Sequence, residues 1–322
     1  METAEKAVHP VHKASLHRRV LKLMGNRFEF SVVNPDAAFA ENCLDAAVAE
    51  VRRLEQLLTT FSETSQTAQI NANAGIAPVP VDAEVYHLIA RSLRISELTQ
   101  GAFDISYGSV DKRLWNFDTT LSALPDPEVA REAIKLVNYR NIILDPAKQT
   151  VFLKEKGMRI GFGGIGKGFA AEKAKNVLQQ KGISSGVVNA AGDLTVWGAQ
   201  PNGQPWTIGI ADPDNKHLPF SALQLNNAAV ATSGNYEKFV MIGGKRYSHT
   251  IDPKTGMPVT GLKSVTVICP NAELADAIAT PLLVMGLKTG LHLINQMKHI
   301  ACIFIDEQNW VHTSANIRIN AT

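Results

Sequence analysis

Five of the eight residues in Gly161-Phe162-Gly163-Gly164-Ile165-Gly166-Lys167-Gly168 are glycine. The strand-like Met158-Arg159-Ile160 precedes them and a helix-like run from Phe169 to Gln180 follows. Such a turn frees backbone N–H groups, admits close approach of a ligand and sets it at a helix N-terminus. That chemistry suits a phosphate or pyrophosphate. The competing interpretation is a tight strand-to-helix turn with close packing, and the added lysine favours the phosphate. Gly161, Gly163 and Gly166 match GxGxxG, but the next strand ends at Asn189, where a dinucleotide fold wants an acidic residue. Gly161 and Gly166-Lys167 match the start of a P-loop, but Gly168 stands where a magnesium-binding hydroxyl is needed.

Asp276 and Thr280 are four residues apart in an Ala- and Ile-rich segment, so on a helix they share one face. Carboxylate and hydroxyl are hard oxygen donors suited to Mg²⁺, which completes its shell with phosphate and water. Taken alone, the pair also fits a hydrogen-bonded Asp near a helix start. A third segment, His249-Thr250-Ile251-Asp252-Pro253-Lys254-Thr255-Gly256-Met257-Pro258, holds a histidine next to a stiff turn. It suits proton transfer or phosphate contact as well as it suits a plain hairpin exit. Thr232 to Glu237, Asn189 to Asp193 and Gly101 to Ser106 mix small residues with carboxylates or hydroxyls, and each alone reads as a turn.

These segments need elements to position them. Phe28, Phe30 and Val32 alternate with Glu29 and Ser31, which predicts a half-buried strand. Asn34 and Pro35 open a helix with Leu44, Ala47, Val51, Leu54 and Leu58 on one face. Asp82 caps a second helix carrying Val85, Ile89 and Leu93, with Gly101 just past its end. Asp145-Pro146 turns between two strands, and Gly243-Gly244 makes a hairpin between 238–242 and 246–249. Strands are expected at 187–188, 195–197, 206–210 and 265–268, and Asn271 caps a helix to about Met285. Strands and helices mix without a strict alternation, so the fold class is α+β, not a doubly wound sheet.

The chain has 322 residues, 45% of them hydrophobic and 19% charged, enough to bury a sizeable core. The formal net charge of +2 argues against a nucleic-acid binder driven by bulk charge. Three cysteines, Cys43, Cys269 and Cys302, with no CxxC, argue against a disulfide scaffold and a thiolate zinc site. No apolar run approaches the ~20 residues of a membrane helix. The polar N-terminus has no apolar leader or lipid-attachment cysteine, which places the chain in the cytoplasm as written, or in the periplasm or on a membrane anchor if a leader was removed. Residues 1–18, with His9, His12 and His17, read as a flexible arm ahead of one domain over 19–322.

In this order the segments resemble the FAD:protein FMN transferases, the ApbE family. The likeness runs from Met24-Gly25 to about Gly286, through Phe61, Ser65 to Asn71, Gly101 to Ser106, Trp115, Gly163 to Gly168, Asn189 to Asp193, Thr232 to Glu237, His249 to Pro258 and Asp276 to Thr280. The resemblance implies mixed sheets with packed helices and an FAD site in a cleft between two subdomains. It implies cleavage of FAD at its pyrophosphate, transfer of FMN to a threonine hydroxyl of an acceptor flavoprotein such as a redox-complex subunit, release of AMP and a need for Mg²⁺. The implied metal ligands are the Gly166 carbonyl, Asp276 and Thr280. Met24, Phe61, Ala102, Phe103, Asp104, Gly163, Gly164 and Lys167 would belong to the flavin or pyrophosphate site. Ser233, Glu237, His249, Asp252 and Thr255 would line the same cleft, with His249 as base, Lys167 on the phosphates and Asp252 or Glu237 as the next candidate base. The chain departs from the family at Gly161, often Asp, at Gly166, often Ala, and at Ala191, where a second glycine is common. The rival functions are an Mg-dependent FAD pyrophosphatase, a flavin carrier and a nicotinamide-dependent oxidoreductase.

Overall fold

A computed structural model describes residues 14–110, 123–211, 219–234 and 239–317. His9, His12, Trp115 and Glu237 lie outside the described residues. Strands β1 (Ser15–Leu23) and β2 (Asn26–Asn34) form a hairpin through Met24 and Gly25, both at positive φ. The expected arm is therefore shorter than 1–18, because Ser15 to Arg18 already pair with β2. Polar residues concealed this strand: β1 is an edge with mostly exposed side chains, held by ion pairs such as Arg18 with Glu29.

Helix α1 (Ala37–Leu58) buries the apolar stripe read from its periodicity. Its N-cap is Asp36, which accepts from the Phe39 N–H at 3.0 Å, and not Asn34. Asn34 instead accepts from the Asp36 N–H, leaving Pro35 ahead of the helix. Helix α2 (Gln66–Ala72) and strand β3 (Val79–Pro80) lead into α3 (Ala83–Leu98). Beyond α3, Gln100 takes the left-handed conformation and the Gly101 N–H closes on the Ser96 carbonyl at 2.7 Å. Helix α4 (Pro127–Ala133) precedes the hairpin β4 (Ile142–Asp145) and β5 (Thr150–Leu153), which pairs with β3 in a small sheet.

The main sheet takes in β6 (Gly186–Ala190), β7 (Asp193–Trp197), β10 (Ala228–Gly234), β13 (Leu262–Cys269), β14 (Ala301–Asp306) and β15 (Val311–Thr313). Its order is β1-β2-β6-β7-β10-β13-β14-β15, antiparallel throughout. One face carries α1, α5 (Gly166–Gln180) and α6 (Ala272–Ile294). Leu194, Val196 and Val230 on the other face pack with Trp206 of the hairpin β8 (Trp206–Ala211) and β9 (Pro219–Leu225). A second, smaller core of Val110, Ile134, Val240 and Ile251 joins the hairpin β11 (Phe239–Ile242) and β12 (Lys245–Ser248) to the segment around α4.

Helix α6 is long and apolar enough to cross a membrane by composition, yet its first three turns are buried against α5, β10 and β13. Its helical dihedrals break at Gly286, one residue past the expected end at Met285. The three cysteines are all free and buried.

Where α5 crosses α6 the backbones nearly touch. A Cβ on Gly168 would sit 2.1 Å from the Ala272 carbonyl oxygen and 2.7 Å from the Asp276 Cβ. Gly163, five residues earlier in the same turn region, has nothing within 4 Å of such an atom. Gly168→Ala should therefore cost at least about 3 kcal/mol, while Gly163→Ala should change stability by less than about 1 kcal/mol. Chemical denaturation of the two variants measures the difference.

Candidate active site

The glycine turn is built by long-range contacts. Met158 to Ile160 are not a strand: no regular ladder reaches them. Asn71 substitutes for one, donating from Nδ2 to the Ile160 carbonyl at 3.0 Å and accepting the Ile160 N–H at 2.7 Å. The Gly161 N–H donates to the Ile105 carbonyl at 2.9 Å. The chain then turns, and α5 begins at Gly166, three residues before the expected Phe169. The N-cap residue Ile165 offers no side-chain acceptor. Asp276 of α6 takes that role instead, its Oδ2 accepting the Gly168 N–H at 3.0 Å. A carboxylate at a helix N-terminus satisfies an orphan donor and opposes the positive end of the helix dipole.

Period-two alternation brings the sheet to the same point. Leu194 and Val196 face the β8–β9 hairpin, so Asp193, Thr195 and Trp197 face the helices. On β10, Ala229 and Ala231 face the helices, and Ser233 continues that row. Its Oγ is 2.8 Å from Thr280 Oγ1, one helical turn after Asp276. Lys167 pairs with Asp193, and its Nζ lies 3.5 Å from Asp276 Oδ1. Burial alone would lower the Lys167 pKa, but the two carboxylates overcome it and hold the ammonium above its ordinary value. Burial, with Asp276 adding to it and Lys167 opposing, raises Asp193 well above the ordinary carboxylate range. Asp193 escaped selection from the sequence because it ended a small-residue turn with no spacing to Lys167 that a linear pattern could show.

The other expected site residues lie at differing distances from this cluster. Met24 reaches this cluster, with its Cε 3.7 Å from where a Gly166 Cβ would stand. Ala102 and Phe103 are buried, and the Phe103 ring lies 3.5 Å from the equivalent point on Gly164. Phe61 is 98% exposed on the loop after α1, next to Thr60, whose methyl lies 3.9 Å from the corresponding point on Gly161. Asp104 is occupied structurally: it accepts from the Ser106 N–H and hydroxyl, and from the Tyr139 N–H at 2.8 Å. Burial raises its pKa against those bonds.

His249 is half-buried just past β12, in the loop associated with the smaller core. Asp252 and Thr255 bond within that loop. The Lys254 N–H donates to Asp252 Oδ1 at 2.9 Å, and the Thr255 hydroxyl donates to Oδ2 at 3.2 Å. Gly256 is at φ +72 with its backbone against the Ala130 carbonyl, and the Ile251 N–H donates to the Tyr107 hydroxyl. The loop is therefore held from three directions.

Ala191, where a glycine is common, sits at φ +55, a left-handed position that costs a non-glycine residue about 1 kcal/mol. Asn189 closes the same turn by accepting the Gly192 N–H at 2.8 Å. β6, the strand after α5, pairs antiparallel with both β2 and β7, and Met158 to Ile160 join no ladder, so the parallel βαβ unit of a dinucleotide fold is not formed around the glycine turn, which removes the dehydrogenase interpretation.

The donor set fits a hard divalent cation. The carboxylate of Asp276 stands against the first turn of α5, which begins at Gly166, and the hydroxyl of Thr280 follows one turn later on α6 beside Ser233. With Asp193 included, two carboxylates face one ammonium, leaving a negative balance. No group of three or more His, Cys, Asp or Glu suited to a metal occurs among the described residues.

Comparison with known proteins gives a consistent result. The ApbE family profile matches residues 24–304. The FAD:protein FMN transferase of Treponema pallidum is 33% identical over 296 residues, covering 87% of this chain and 82% of its own length. One from Klebsiella pneumoniae is 31% identical over 92% of this chain and 91% of its own. The ApbE protein of Thermotoga maritima superposes with a TM-score of 0.82 at 29% identity, covering 94% of this chain and 97% of the other. The flavinyl transferase ApbE of Pseudomonas stutzeri, in its apo form, gives 0.83 at 26%, covering 95% and 97%.

Asp276 as a tertiary cap makes a structural prediction independent of any ligand. Asp276→Ala should destabilise the protein by about 1–2 kcal/mol, whereas Asp276→Asn keeps an acceptor for the Gly168 N–H and should recover most of that loss. Thermal unfolding in EDTA measures both.

Proposed function

The chain belongs to the ApbE family, and on that premise we propose that it transfers FMN from FAD to a threonine hydroxyl of an acceptor flavoprotein, releasing AMP, with Mg²⁺ as cofactor. The observation that carries this is the meeting of Lys167 and Asp276 at the glycine-rich start of α5, with Thr280 one helical turn after Asp276. Such a site is suited to a pyrophosphate held beside a cation.

Asp276, Thr280 and the Gly166 carbonyl would hold Mg²⁺, which supplies neutralisation of charge on the phosphate oxygens. Lys167 adds a second positive charge to the same oxygens. The Ile165 and Gly166 N–H groups close the turn on the Phe162 carbonyl, which leaves the N–H groups of Gly163 and Gly164 to orient the diphosphate, and the glycines let it approach. Phe103 packs against Gly164 and shapes the floor of the turn. The threonine oxygen attacks the FMN phosphorus, the bond from that phosphorus to the AMP oxygen breaks, and AMP leaves. The proton of the threonine hydroxyl passes to an imidazole nitrogen of His249. A histidine carried by a braced loop suits that step near neutral pH. Asp252 and Thr255 shape the loop and do not themselves transfer the proton.

A pyrophosphatase would use the same groups with water as acceptor, so the deciding experiment supplies both acceptors. The protein is incubated with FAD, Mg²⁺ and a threonine-containing acceptor domain, and flavin fluorescence on the denatured acceptor is compared with AMP released. Transfer gives labelled acceptor equal to AMP; hydrolysis gives AMP and free FMN.

Two further outcomes are expected. In single-turnover transfer His249→Asn should slow the reaction by about 10²–10⁴ with little change in FAD affinity, since a base acts on the transition state. Lys167→Ala should weaken both, because its charge faces the ground-state phosphates. For ligand choice, FAD with Mg²⁺ should stabilise the protein in thermal shift clearly more than riboflavin does.

A further inference from the structure

Two buried anions face one movable cation at this site. Asp193 opens β7 directly after a turn fixed by the Ala191 N–H on the Arg27 carbonyl at 3.0 Å and the Gly192 N–H on Asn189. Its side chain is 6% exposed. Asp276 is equally fixed, because Oδ2 caps α5. Its other oxygen, Oδ1, is the one 3.5 Å from the Lys167 ammonium. Lys167 ends a flexible four-carbon stem and its side chain is 25% exposed, so it alone of the three can shift.

A divalent cation held by Asp276 would contend with that ammonium for Oδ1, and two positive charges at such separation repel strongly away from bulk water. We propose that Asp193 is a positioning residue that retains Lys167 when the cation occupies Asp276, so that lysine and metal do not compete for one carboxylate. The inference rests on the cation site proposed above. In the metal-free protein the lysine serves both carboxylates and spares either from being buried unpaired. On metal entry it gives up Asp276 and keeps Asp193, which it already contacts. The ammonium thus stays beside the site, where the phosphates need it, instead of being expelled into solvent.

Calorimetric titration of the flavin-free protein with Mg²⁺ alone tests this. Asp193→Asn should weaken Mg²⁺ binding by about tenfold or more, because Lys167 then has only Asp276 as partner. Lys167→Gln should tighten it. In the Lys167→Gln background the further change Asp193→Asn should cost less than about threefold, since Asp193 acts through the lysine. An equal penalty in both backgrounds would assign Asp193 to the metal directly and overturn the proposal. So would Lys167→Gln leaving Mg²⁺ affinity unchanged or weaker, a measurement that stands even where Asp193→Asn fails to fold. Absence of Mg²⁺ uptake by the parent protein would overturn the cation site as well, whereas normal uptake without coupling between Asp193 and Lys167 overturns this pairing alone.

Discussion

The backbone contact between α5 and α6 is the constraint on which the site depends. Gly168 has no side chain, so the first turn of α5 lies against the Ala272 carbonyl and its N–H reaches Asp276. One hydrogen bond thereby caps a helix that has no local cap and fixes the orientation of the site's principal carboxylate. It also explains why the resemblance to a P-loop breaks at this residue. A hydroxyl side chain would collide with α6. In the function proposed above the hard-oxygen donors come from α6 itself, as the carboxylate and hydroxyl one turn apart at Asp276 and Thr280.

Around this crossing the antiparallel sheet sets the remaining groups. Alternation along β7 and β10 turns Asp193 and Ser233 toward the helices while their neighbours pack on the β8–β9 hairpin. β7 is covered on both faces, so the charge of Asp193 is removed from water. That burial is tolerated because Lys167 is shared between two carboxylates. The His249 loop has a different foundation, the smaller core with α4 and Tyr107. Several polar residues of the matched segments are engaged in scaffolding. Asp104 ties the turn after α3 to Tyr139, and Asp252 ties its own loop. A residue shared with a family motif can thus hold backbone in place without facing a ligand.

Much was legible in the order of residues because it depends on local periodicity or local turn chemistry. The apolar stripe of α1, the Gly243-Gly244 hairpin, the Asn271 cap and the α+β class all rest on contacts within a few residues or on spacings of 2 and 3.6. The spacing of Asp276 and Thr280 also sufficed to put them on one helical face. Tertiary structure decided what depends on partners far along the chain. β1 is a strand because β2 pairs with it, although its own side chains read as a polar arm. Met158 to Ile160 look like a strand, but the Asn71 side chain pairs with Ile160 and the Ser109 hydroxyl with Arg159 in place of a ladder. α5 starts three residues early because its cap arrives from residue 276, and Asp193 enters the site only because the sheet carries it to Lys167. A linear pattern carries no record of groups that meet across 26 or 108 residues. Their proximity is set by the packing of sheet on helices.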